Sequence, residues 1–181
     1  MAQAGYGNTA RLFHWITALM VLGMVPAGLV MIREGIGRDL QNLLFILHKN
    51  GGVILLALVL LRLGWRVLVP PPPLPAGVPD WQRMVSAWVH RLLYAMVIFM
   101  AVSGYLRVTL GGFPVELLDA MGVPRLPPNE ALAAIAQRAH FLGKFVLIGL
   151  VAMHVGAALG HAIVKRDGVF SRMWPPLRLS R

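Results

Sequence analysis

Long apolar runs alternate along the chain with short polar or proline-rich segments, and four of the runs are long enough to cross a lipid bilayer. They cover about residues 12–32, 45–68, 88–110 and 140–164. A bilayer core needs roughly 20 helical residues, because an α-helix rises about 1.5 Å per residue. The pattern therefore predicts an all-α fold, an integral membrane four-helix bundle that forms a single domain over residues 1–181.

The segments between the runs are predicted to be mostly loops. Residues 70–75 include five prolines, and proline cannot continue a helix because it lacks a backbone N–H. The loop at 111–128 is rich in proline and glycine, with one helical turn predicted at about 116–121. The alternating residues 131–140 predict that the fourth helix begins before its apolar run. The first run is long for a signal peptide and lacks an A-x-A site, so we expect it to be retained.

Composition supports a membrane protein. Hydrophobic residues make up 57% of the chain and charged residues 13%, whereas soluble domains have about 45–50% and 25%. The net charge of +10 does not indicate nucleic-acid binding, since the basic residues flank the apolar runs instead of forming one stripe. With no cysteine, disulfides, iron–sulfur clusters and thiolate-ligated haem are excluded.

The distribution of basic residues predicts the orientation of the bundle. Four spans place both termini and the loop between the second and third spans on one side. That side carries ten of the 17 Lys and Arg residues, Arg178 and Arg181 among them, while the other side carries seven together with five of the seven acidic residues. By the positive-inside rule, both termini are expected in the cytoplasm.

Histidines are the candidate chemical groups, because ionisable residues inside membrane helices are costly and usually mark function. Any one of them is as readily an interfacial or hydrogen-bonded helix residue, but the six form a pattern. His140 and His154 lie 14 residues apart, on nearly the same helix face and about 21 Å apart along the axis. One helix can therefore ligate two haems stacked across the bilayer. The six are His14, His48, His90, His140, His154 and His161.

Depth along the helices suggests how the histidines pair. His48 lies level with His140 on the outer side of the bundle, and His14 lies within a few ångströms of the depth of His154 on the cytoplasmic side, a mismatch that helix tilt absorbs. However, His90 has a similar depth to His14. Spacing alone therefore leaves one ligand of the cytoplasmic haem open.

Bis-histidine coordination closes both axial positions of a haem, so such haems carry electrons and do not bind oxygen. Zinc is a weaker alternative, because four histidines at two depths form no tetrahedral cluster and no cysteine or carboxylate accompanies them.

Short motifs in all four predicted helices resemble the bacterial cytochrome b561 family, over nearly the whole chain. They are the R-x-x-H-W opening at 11–15, the second-helix segments at 48–52 and 61–66, the third-helix segments at 90–94 and 103–106, and the fourth helix with its tail at 154–161 and 165–173. The loop at 111–137 is the poorest match.

The resemblance implies a diheme b-type cytochrome of the bacterial inner membrane. It assigns the positions of His14 and His154 to the cytoplasmic haem and those of His48 and His140 to the periplasmic haem. The family includes proteins that oxidise superoxide at the periplasmic face and reduce ubiquinone. In those, the histidines that match His90 and His161 lie near the quinone. The partners expected for this chain are quinone, a small periplasmic donor and membrane lipid, with no obligate protein partner evident.

Several other residues have two interpretations. Lys49 and Lys144 either contact haem propionates or an anionic donor, or extend their side chains to the lipid head groups. The glycines at 51, 52, 143 and 156 either admit the flat porphyrin or allow close helix packing.

Three functions are compatible with the sequence. The preferred one is an oxidoreductase that passes electrons from a periplasmic donor, with superoxide favoured, through two haems b to quinone. The second is an electron-transfer subunit that serves a partner dehydrogenase or hydrogenase. The third is a haem-free membrane protein such as a small transporter.

Overall fold

The computed structural model describes residues 5–177, which form helices and loops with no β-strand in that range. A π-helical turn, Gly160–Lys165, continues the last long helix, and a short 3₁₀ turn, Phe170–Arg172, follows. The α-helices are α1 (Asn8–Val30), α2 (Arg38–Leu68), α3 (Asp80–Leu110), α4 (Glu116–Ala120) and α5 (Glu130–Leu159).

Four of these helices, all except α4, are long and apolar enough to cross a membrane. The predicted all-α membrane bundle with four spans is therefore confirmed. Three of the four helices begin well before their apolar runs, with Asp39, Asp80 and Glu130 in their first turns. Acidic side chains there are favourable because they face the positive end of the helix dipole. The apolar runs thus mark the membrane-crossing part of longer helices.

The loops follow the predicted pattern. Residues 70–75 lie outside the helices, and α4 occupies the position of the predicted helical turn in the loop after α3. α5 begins at Glu130, where Asn129 caps it by accepting a hydrogen bond from the Leu132 amide at 3.0 Å. The start of α5 agrees with the prediction from the alternating residues.

The N-terminal and C-terminal parts of the described residues meet at one end of the bundle. Arg11, fully buried near the start of α1, donates hydrogen bonds to the backbone carbonyls of Tyr6 (2.8 Å), Pro175 (2.9 Å) and Ser171 (3.3 Å). We call this the terminal end and the opposite end the distal end. Arg178 and Arg181, which belong to the charge count above, lie outside the described residues.

A layer of buried aliphatic side chains lies midway along the bundle. Val21, Leu55, Val97 and Leu147 each come from a different long helix and form one core cluster with Val59. α1 packs against α2, α2 against α3, and α3 against α5. This apolar layer separates the polar side chains at the two ends of the bundle.

Candidate functional site

Each long helix contributes one residue to a layer on either side of the aliphatic core, and within every helix these two residues are 14 positions apart. That spacing keeps both on one helix face, about 21 Å apart. The distal layer contains Gly28, His48, Gly104 and His140, and the terminal layer contains His14, Arg62, His90 and His154. The four helices thus repeat the spacing first seen between His140 and His154.

In the distal layer, the structure brings His48 and His140 together, with ring centroids 6.2 Å apart and planes at 87°. His140 Nδ1 lies 3.0 Å from the Met100 carbonyl and 3.2 Å from Ser103 Oγ. Because a carbonyl only accepts, His140 carries its proton on Nδ1, which leaves the Nε2 lone pair available.

Two glycines complete the distal layer, and sequence reasoning did not single them out. A Cβ added to Gly28 would lie 2.7 Å from His48 Cε1, and one added to Gly104 would lie 3.0 Å from His140 Cε1. Neither position has room for a side chain, because an imidazole ring fills the space that the side chain would need. The signal in the sequence was their 14-residue distance from His14 and His90.

The glycines that the sequence did single out lie elsewhere. A Cβ added to Gly51 would lie 2.8 Å from Met24 Sδ of α1, and one added to Gly143 would lie 2.8 Å from Met100 Sδ of α3. A Cβ on Gly52 would meet only Met24 Cε, at 3.9 Å, and one on Gly156 would meet nothing within 4 Å. Close helix packing therefore accounts for Gly51 and Gly143.

A cavity of about 710 Å³ opens beside the distal histidine pair. Pockets of roughly 300–1,000 Å³ are typical of sites for cofactors and small ligands. Its lining is mostly apolar, and its charged residues are Lys49, Arg107, Glu116 and Lys144.

Lys49 links α2 to α4 beside this cavity. Its ammonium group donates to Glu116 Oε1 at 2.6 Å and to the Pro114 carbonyl at 2.8 Å. Asn50 Nδ2 donates to Glu116 Oε2 at 3.0 Å, while Asn50 Oδ1 accepts from the Leu117 amide at 2.9 Å. Although burial opposes ionisation, these hydrogen bonds lower the pKa of the Glu116 carboxyl below its usual value.

Lys144 also faces the cavity but has different partners. Its ammonium group lies 3.9 Å from the ring centroid of Phe141 and 4.9 Å from that of Phe145. Cations are attracted to the faces of aromatic rings at such distances.

In the terminal layer, His154 contacts two histidines. Its ring centroid lies 6.1 Å from that of His14 and 5.2 Å from that of His90. Arg62, the remaining member of the layer, donates to His14 Nδ1 at 2.9 Å and lies 5.1 Å from the centroid of the Tyr94 ring. Sequence reasoning did not predict this contact between Arg62 and His14.

His161 lies in the π-helical turn that follows α5, and its Nδ1 donates to Asp167 Oδ2 at 2.6 Å. Single π-helical turns occur frequently at functional sites. Burial opposes ionisation of Asp167, but the hydrogen bond from His161 lowers the pKa of its carboxyl below the usual value. Asp167 is a further partner that sequence reasoning did not identify.

The Arg and Trp of the R-x-x-H-W motif bind the C-terminal segment. Trp15 Nε1 donates to the Met173 carbonyl at 2.9 Å, next to the bonds that Arg11 makes. The motif therefore joins the start of α1, next to His14, to the C-terminal segment at residues 171–175.

Comparisons with known proteins agree over nearly the whole chain. A family model described as prokaryotic cytochrome b561 matches residues 5–176. Cytochrome b561 homolog 2 of Escherichia coli (strain K12) is 33% identical over 170 residues, which cover 93% of this chain and 90% of the relative. Cytochrome b561 homolog 1 of the same organism is 24% identical over 172 residues, covering 94% and 97%.

Proposed function

The chain belongs to the prokaryotic cytochrome b561 family, and from that premise we propose that it holds two haems b and passes electrons from a small periplasmic donor to membrane quinone. The family assignment makes it a multi-pass membrane protein that binds haem b and transfers electrons. The proposal adds the number of haems, their ligands, the two substrates and the direction of electron flow.

The observation that carries the proposal is the distance between the two imidazole rings within each histidine pair. Metal–imidazole bonds are about 2 Å long, so two imidazoles on opposite sides of one metal have ring centroids roughly 6 Å apart. The centroids of His48 and His140 are 6.2 Å apart, and those of His14 and His154 are 6.1 Å apart. Both pairs therefore fit one iron atom each.

The same criterion favours His14 over His90 as the partner of His154. The ring centroids of His90 and His154 are 5.2 Å apart, closer than the 6.1 Å and 6.2 Å of the two proposed pairs, which leaves less room for a metal between them. His90 Nδ1 donates to the Ser86 carbonyl at 2.7 Å. We assign His90 to a position beside the terminal haem and not to its iron.

Ligation by His14 requires one rearrangement. Arginine only donates, so His14 Nδ1 accepts from Arg62 and the imidazole proton lies on Nε2. Coordination of iron through Nε2 needs that lone pair. We therefore propose that Arg62 releases His14 Nδ1 when haem binds and remains close to the Tyr94 ring.

A bound haem would supply one-electron chemistry, and ligation by two histidines would restrict it to electron transfer. The residues of the chain would hold each haem at a defined depth, with the buried aliphatic layer between them. The Met100 carbonyl fixes the His140 ring through Nδ1, which orients a ligand and raises its basicity.

We place the electron donor at the distal end and the quinone at the terminal end. With both termini in the cytoplasm, the distal end faces the periplasm of an inner-membrane protein, and superoxide is the favoured donor. Ubiquinone is the favoured acceptor, near His90 and His161. Reduction of a quinone takes up protons, and imidazole is well suited to deliver them near neutral pH.

The decisive experiment counts haems and follows their electrons. We expect a pyridine haemochromogen assay to give two haems b per chain with low-spin spectra, and we expect superoxide to reduce them and ubiquinone to reoxidise them. One haem per chain or a high-spin spectrum would refute the diheme assignment. If a co-purified dehydrogenase or hydrogenase is required for reduction, the donor assignment is wrong.

A further inference from the structure

The distal cavity has an excess of positive charge. Three cationic side chains and one carboxylate line it. Lys49 is neutralised by Glu116 at 2.6 Å, and the Lys144 ammonium lies against two aromatic rings. Within residues 5–177, the guanidinium group of Arg107 has neither an ion pair nor a hydrogen bond. Arg107 is thus the cavity cation that lacks a partner.

The position of Arg107 directs this charge toward the histidine pair. It lies three residues after Gly104 on α3, and residues with that spacing share a helix face. Gly104 itself lies against the His140 ring. Arg107 lines the same cavity as His48 and His140.

A partly buried guanidinium without a partner is a candidate ligand site. Arg107 lies in the last turn of α3, at the distal end of a membrane-spanning helix, and ionisable side chains in such helices are rare and usually face a cavity. The guanidinium presents a planar fork of N–H donors that matches two oxygen atoms of one anion.

We propose that Arg107 is the anion-binding residue of the distal cavity and takes an anion that presents two oxygen atoms. Two sources share this chemistry, a propionate carboxylate of the distal haem and a small anionic donor such as superoxide. The inference rests on the proposed function for the source of the anion, while the unpaired charge itself is independent of it.

The test compares Arg107→Gln and Arg107→Lys with the wild-type protein and with Arg38→Gln. Arg38 is an exposed basic residue at the distal end that does not line the cavity, so its replacement removes the same charge from the surface only. Each purified protein is assayed for haem per chain and for reduction rates with superoxide and with an uncharged hydroquinone, at low and high salt.

If the anion is a propionate, Arg107→Gln loses the distal haem and falls from two haems per chain toward one, while Arg107→Lys recovers part of the loss. If it is the donor, both haems remain, reduction by superoxide slows by roughly tenfold and loses most of its salt dependence, and reduction by the hydroquinone is unchanged. Retention of the terminal haem shows in either case that the variant is folded.

Arg107→Gln protein that matches both wild type and Arg38→Gln in haem content and superoxide rate would overturn the inference. That outcome differs from failure of the proposed function, which would appear in the wild-type protein as a missing distal haem or as no reduction by superoxide.

Discussion

Gly28 of α1 lies directly against the imidazole ring of His48 on α2, so that a Cβ added to Gly28 would be 2.7 Å from His48 Cε1. Real atoms do not approach so closely, and even an alanine requires the ring or the helix to move. The glycine is therefore needed for the close approach of α1 to the ring. Gly104 has the same relationship to His140 in a slightly looser form, at 3.0 Å.

We expect Gly28→Ala to weaken binding of the distal haem, because the displaced His48 ring no longer faces His140 at the separation that one iron requires. Haem per chain should fall below two, with the terminal haem retained. Gly149→Ala is the matched control, since a Cβ at that position meets nothing within 4 Å. Equal haem content in both variants would show that His48 is free to adjust.

Histidine replacements test the ligand pairs. His14→Ala should lose the terminal haem and keep the distal one, whereas His90→Ala should keep both, because the His14–His154 separation suits an intervening metal better. His48→Ala and His140→Ala should each lose only the distal haem. The measurement is haem per chain with the spectrum of the remaining haem. Loss of a haem from His90→Ala, with both present in His14→Ala, would reverse the assignment.

Asp167→Asn tests the proposed quinone site. The Asp167 carboxylate holds the His161 ring and keeps a proton on its Nδ1. We therefore expect the Asp167→Asn variant to reoxidise its reduced haem with ubiquinone several-fold more slowly than the wild type, at unchanged haem content. His161→Ala should have a similar effect. An exposed acidic residue at the other end, Glu34, provides the control as Glu34→Gln. Normal quinone turnover in both terminal-end variants would exclude this site.

The ion pair between Lys49 and Glu116 should break in acid. The folded-state pKa of Glu116 is lowered from its ordinary 4.5, so its contribution to stability is present above pH 4.5 and is lost as the pH falls through the folded-state value. Hydrogen–deuterium exchange of residues 113–123 should therefore rise in that window. In the Glu116→Gln variant, the amides of residues 113–123 should exchange faster at neutral pH, and their exchange should no longer show this dependence on pH. Asp119→Asn, at an exposed pair with Arg125, should leave the cavity side of α4 protected.

Replacing Arg11 should destabilise the terminal end. Its guanidinium is fully buried and donates to three backbone carbonyls, and hydrogen bonds to charged groups contribute about 1.5–3 kcal/mol each. We expect Arg11→Met to lower the melting temperature, followed by loss of haem absorbance on heating, and to affect the terminal haem first. Arg33→Gln, at an exposed position, should melt like the wild type. Equal melting temperatures would mean that the C-terminal segment contributes little to stability.

The sequence was sufficient to predict the four spans, the short helix near residues 116–121 and the early start of the fourth helix. These features depend on local properties: apolar length, proline and glycine, and the period of the polar residues. The depth of each histidine also follows from its position in the chain, because the helical rise is constant. The two levels of histidines are therefore a property of the sequence alone.

The tertiary structure was needed to decide which groups face one another at each level. Depth does not specify how each helix is rotated about its axis, so the sequence left His14 and His90 as rivals and did not connect Gly28 with His48 or Arg62 with His14. The partners of Lys49 and His161 lie in the connection that contains α4 and in the segment after the π-helical turn, and the paths of these segments depend on packing and not on periodicity. Rotation and loop path result from contacts between distant segments, and for that reason the unpaired charge of Arg107 appeared only in the folded chain.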